Sequence, residues 1–113
     1  MELLVIILNK EEYLEKLTFL LVEAGISGAT ISDSEGIGHY LAYEVPIFAG
    51  LRQLMGEGKT TNKTILATLD NEKVFDRLKE LLKEENIDFT KAGVGIMATV
   101  PINKIIKSDG DFE

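Results

Sequence analysis

Leu3, Leu4, Val5, Ile6, Ile7 and Leu8 form an unbroken apolar run near the start of the chain. A run this short reads as a strand, since a membrane-spanning helix needs about 20 apolar residues. Successive side chains of a strand point to opposite faces, so this one is apolar on both. Ile65-Leu66-Ala67 and Ile96-Met97-Ala98 repeat the pattern later in the chain. A sheet built from such strands needs apolar cover on two faces, and one layer of helices supplies only one. Further copies of the same chain are the economical second cover, so the sequence predicts a homo-oligomer, with burial by a long loop as the alternative.

Around these runs the chain divides into a regular order of elements. Glu2 to Leu8 is the first strand. Asn9 offers a helix N-cap, Glu12 completes a capping-box pattern, and Leu14, Leu17, Leu21 and Ala24 recur at helical spacing up to a stop at Gly25. Ala29 to Ser34 reads as a second strand and Lys63 to Leu69 as a third. Asp70 or Asn71 caps a second helix whose Val74, Phe75, Leu78, Leu81 and Leu82 form one apolar stripe. Gly93 to Val100 is a fourth strand, followed by Pro101 and a tail that turns acidic at Asp109, Asp111 and Glu113. The order βαββαβ predicts an α+β, ferredoxin-like fold with two helices on one face of an antiparallel sheet. At 113 residues the whole chain, 1–113, is expected to be a single domain.

Composition narrows the function. A net charge of −7 argues against duplex nucleic acid, whose binding rests on Lys and Arg at phosphates. The absence of cysteine removes disulfides, thiolate nucleophiles and thiolate metal sites. With neither a spanning segment nor the marks of a signal peptide in the first run, no membrane insertion and a cytoplasmic address are expected.

The stretch from Gly36 to Asn62 reads as a long loop with five glycines. Its centre, Val45 to Met55, is apolar for a surface connection, and a short helix is expected there, started by Pro46 and ended by Gly56. Such a helix would pack on a neighbouring subunit or dock on a partner protein. Gly56-Glu57-Gly58-Lys59-Thr60-Thr61 ends like a Walker A loop, but Gln53 stands where that pattern needs its first glycine, and a strand follows instead of a helix. His39 is the only histidine. It reads first as a polar loop residue, and no second partner completes a catalytic constellation with it.

Gly25-Ile26-Ser27-Gly28-Ala29-Thr30-Ile31, followed by Gly36-Ile37-Gly38 and later by Gly93-Val94-Gly95, resembles the PII signal-transduction proteins. The likeness runs over nearly the full chain, and the 37–62 segment takes the place of that family's mobile T-loop. The resemblance implies a non-enzymatic homotrimer that binds an adenine nucleotide in clefts between subunits and grips or releases a target protein through the loop. Thr30, Gly36, Ile37 and Gly38 match the side of the cleft that holds base and sugar, and Gly93, Val94 and Gly95 match the opposite side. The departures concern charge. His39-Tyr40 replace the family's Arg-Gln, Ile96 replaces a lysine, and of two terminal arginines one position is Lys107 and the other Asp109. Multiply charged phosphate calls for charge-assisted donors. ATP thus fits the side chains less well than ADP, AMP or another small anion, with His39, Lys59 and Lys107 as the available positive groups. Arg52 and Gly50 fall near the positions of the tyrosine and serine that some members modify. The rival readings are an ACT-like or CutA-like small-ligand module of the same topology, and a dimeric α+β-barrel enzyme using His39 or Tyr40.

Overall fold

β1 (Glu2–Leu8), β2 (Ala29–Ser34), β3 (Asn62–Leu69) and β4 (Gly95–Pro101) form one sheet in the order β2-β3-β1-β4. All three pairings are antiparallel, so this is the ferredoxin-like α+β arrangement expected from the order of elements. The computed structural model describes residues 1–26, 28–54 and 61–108. α1 (Leu14–Glu23) and α4 (Glu72–Glu84) lie together on one face. Their Leu17, Leu20, Leu21, Leu78, Leu81 and Leu82 close over Leu4, Ile6 and Leu8 of β1 and Ile65, Ala67 and Leu69 of β3. Burying one such side chain contributes about 1.5–3 kcal/mol, and this single layer is the core.

The register sorts the remaining strand residues onto the other face. Thr30, Leu66, Val5 and Ala98 lie side by side in one row; Ser32, Thr64, Ile7 and Ile96 form the next, and Thr68, Leu3 and Val100 a third. Among the described residues this face carries no helix. Leu66, Ile96 and Val100 are 41%, 59% and 49% exposed, while the inward Ile6 and Ile65 have no accessible surface at all. Its apolar part spans β3, β1 and β4, and β2 adds a hydroxyl border of Thr30, Ser32 and Ser34.

Both long helices end by the same device. Gly25 takes φ +100° after α1, with the Ile26 amide donating to the Leu21 carbonyl at 3.0 Å. After α4 that role falls to Asn86 at φ 59°, with the Ile87 amide donating to Leu82 at 3.0 Å. Asparagine tolerates the left-handed region better than other residues with a β-carbon, so no glycine is needed there. Asn71 caps α4, its side chain accepting from the Lys73 amide at 2.9 Å.

Three local expectations are corrected. Asn9 is not the N-cap expected: residues 11–13 make a 3-10 turn before α1, and the N-cap residues of the two, Lys10 and Tyr13, make no side-chain cap. Asn9 instead accepts from the Asn62 side-chain amide at 3.1 Å, across the ends of β1 and β3. The fourth strand starts at Gly95 rather than Gly93, because residues 92–94 form a turn. The segment between β2 and β3 is partly helical: α2 (Ile37–Glu44) is followed by a 3-10 turn at Pro46–Phe48 and a single-turn α3 (Leu51–Leu54). Pro46 therefore opens only a 3-10 turn. The expected end of a helix at Met55 and Gly56, the Walker-like residues Gly56 to Thr60 with Lys59, and the acidic tail from Asp109 lie outside the described residues.

Candidate functional site

The residues singled out by sequence occupy three places. Gly36, Ile37, Gly38 and His39 follow β2, on one edge of the sheet. Gly36 is the extended residue before α2, and Ile37 to His39 are its first turn. Gly93, Val94 and Gly95 lead into β4 at the same end but on the opposite edge. Three strand spacings separate the two edges, about 14 Å, so within one chain they do not share a pocket. Thr30 lies mid-strand on β2, on the face without helices, paired with Leu66. Lys107 lies near the far end of the sheet, with Nζ 3.6 Å from Asp70 and 3.4 Å from the Thr68 hydroxyl. That is about 20 Å along the strands from Gly95.

A row of polar side chains spans the gap between the two glycine segments. The Ser34 hydroxyl bonds the Asn62 side chain and lies 2.7 Å from the Thr64 hydroxyl. The Asn62 side-chain amide donates to Asn9, and the Asn9 backbone amide donates to the Val94 carbonyl at 2.8 Å. The base of the insertion and the glycine turn of β4 are thus joined through the ends of β3 and β1. Beside this row Asp33 pairs with Lys63, and the bonded carboxylate raises the lysine above its ordinary pKa.

The glycines themselves differ. Gly95 has φ +146°, and a β-carbon there would lie 2.0 Å from the Ile7 carbonyl oxygen. This glycine therefore lets β4 lie against β1, whatever else it serves. Gly93, at φ +79°, needs its left-handed conformation but has open space around it. Around Gly36 and Gly38 a β-carbon would meet little, only the Asn62 amide at 4.0 Å from the former.

Sequence reasoning missed the internal order of the insertion. Glu35, just before the Gly36 N-cap, and His39 and Tyr43 within α2 recur every four residues and come together. The Glu35 carboxylate bonds His39 Nδ1, and the imidazole stacks on Tyr43 with ring centroids 4.5 Å apart. Arg52, returning from α3, also lies over the Tyr43 ring, 4.8 Å from its centroid, and donates from Nε to the Ala42 carbonyl at 2.8 Å. Arg52 thereby satisfies a carbonyl at the α2 C-terminus, where a cation is favoured. His39 is consequently committed to the packing of the insertion, its side chain only 13% exposed. The four-residue spacing was the available signal, hidden by reading Gly36 and Gly38 as loop markers.

No group of three or more His, Cys, Asp or Glu side chains that could hold a metal ion occurs among the described residues. No described helix is long and apolar enough to cross a membrane. No family model matches the chain, and no curated protein matches it.

Proposed function

We propose that the chain is a PII-like regulator: a homotrimer that senses a small ligand, an adenine nucleotide such as ADP or AMP, between subunits and controls a target protein through residues 37–62. The observation that carries this reading is the uncovered apolar face formed by Leu3, Val5, Ile7, Leu66, Ile96 and Val100. Contiguous apolar surface of this kind, bordered by hydroxyls, favours association over exposure to water. Pairing of copies through this face would bring the Gly36–Gly38 edge of one chain toward the Gly93–Gly95 edge of another, which one chain alone keeps apart. The Ser34–Asn62–Asn9–Val94 row then offers a route from ligand to insertion, provided the ligand binds one arrangement of the insertion better than another.

Light scattering on the wild type and on Leu66→Asp, with titration calorimetry against ATP, ADP and AMP, tests both halves. Leu66→Asp places a charge in the middle of the apolar face and leaves the helix-covered core untouched. The expected result is three chains per particle for the wild type, one for the variant, and nucleotide heat only for the former. A monomeric wild type, or a trimer giving no heat with any of the three nucleotides, overturns the proposal.

A further inference from the structure

The helix-covered side has an opening of its own, remote from the face proposed for association. A groove of about 920 Å³ lies between α4, the 86–94 loop and the start of β4. Its volume falls within the range of about 300–1,000 Å³ usual for small-molecule sites. Tyr13, Phe75, Leu82, Phe89 and Met97 line it, so its walls are aromatic and aliphatic. Lys10, Lys79, Lys83 and Lys91 also line it. These four are a third of the chain's 12 Lys and Arg residues, gathered at one opening of a chain with net charge −7. Among the described residues none of the four forms a close ion pair, although Lys91 acts at longer range on the Asp88 carboxylate. Among the described residues Asp88 is the one carboxylate lining the groove, and its hydrogen bonds come from the Thr90 amide at 2.8 Å and the Thr90 hydroxyl at 2.6 Å.

α4 shows how the charge is sorted. Phe75, Lys79 and Lys83 follow one another at four-residue spacing and face the groove, with Lys79 over the Phe75 ring at 6.0 Å. Asp76, Glu80 and Glu84 occupy the next row round the helix, away from it. On the opposite wall Lys10 stands 5.7 Å from the Tyr13 ring. Flexible ammonium groups above aromatic walls suit a ligand that buries an apolar body and keeps an anionic head at the mouth.

We propose that this groove binds a small amphiphilic anion, with an apolar body the size of a medium-chain acyl group and a single carboxylate or phosphate head. The site is independent of the trimer and nucleotide reading, since it is built within one chain. Amide NMR titration of the full chain with decanoate, decyl phosphate and decanol tests it, each kept below its micelle concentration. Saturable shifts for both anions are expected at residues 10–13, 75–91 and 94–97, with decanol binding at least about tenfold more weakly. The two anions rank the head groups. The double variant Lys79→Gln/Lys83→Gln, its fold checked by circular dichroism, should lose about fivefold or more in anion affinity with no change for decanol. The proposal is overturned by an absence of saturable shifts, by shifts centred on Val5 and Leu66, by equal binding of decanol, or by unchanged anion affinity in the double variant. Binding only to vesicles of anionic phospholipid, with no response to the free amphiphiles, overturns it as well.

Discussion

The two faces of the sheet are built from the same strands and nearly the same residue types, yet they end in different states. On the helix side Leu4, Ile6, Leu8, Ile65 and Leu69 are sealed by two leucine-rich stripes. On the other side Leu3, Val5, Ile7, Leu66 and Ile96 have no helix packed over them among the described residues. The alternation of a strand accounts for which residue goes where, but not for why both sets are apolar. A chain that folds by its helix side alone would be free to carry polar residues on the other. The open face does carry Thr64 and Thr68 on β3, but Leu3, Val5, Ile7, Ile96 and Val100 keep β1 and β4 apolar there, and the proposed association rests on that.

The comparison is most severely tested where both faces depend on one contact. Gly95→Ala places a β-carbon against the Ile7 carbonyl and forces an L residue to φ +146°. We expect β4 to detach from β1, lowering the thermal midpoint by more than any other substitution considered for this chain. Circular dichroism melts will read this, and a near-normal melt would mean that the β1–β4 contact tolerates a shift. Adjacent residues then separate the faces. Ile6→Ala opens a cavity in the core and should cost about 2–5 kcal/mol in urea unfolding at any protein concentration. Ile7→Ala, on the open side, should cost less than about 1 kcal/mol in dilute protein, with its larger penalty appearing as the concentration rises. Equal, concentration-independent losses would erase the distinction between the folding face and the face proposed for association.

The smallest effect sharpens the rim of the helix side. Thr90, by its hydroxyl and then its amide, holds the Asp88 carboxyl below the ordinary carboxylate pKa. A lowered folded-state value stabilises above the unfolded pKa and is lost as the pH falls through the folded one. Asp88→Asn should therefore lower the neutral-pH melt slightly and flatten the profile below about pH 4, where variant and wild type converge. An unaltered acid limb would remove Asp88 from that balance.

The strands and long helices were legible because their signals are local. β1 and β2 match their expected limits residue for residue, and the α4 stripe of Val74, Phe75, Leu78, Leu81 and Leu82 lies against the core with its last three members buried. α2 was not legible, because glycines at 36 and 38 weigh against a helix unless something holds it. The supports are Glu35–His39–Tyr43 on one side and Arg52 from α3. Asn9 was misread for a related reason: its cap pattern competes with Asn62, which lies 53 residues further along and meets it only once β1 and β3 have paired.

By itself the sequence determined the βαββαβ order, the sheet apolar on both faces and the long insertion between β2 and β3. These rest on periodicity, which neighbouring residues carry. Only the tertiary structure decided that Gly95 is required by the Ile7 carbonyl, that His39 turns into the insertion, that Lys107 sits far from the glycine segments, and that four lysines ring one apolar groove. Each of these depends on distances between residues remote in sequence, set by strand register and helix packing, and no local pattern encodes them.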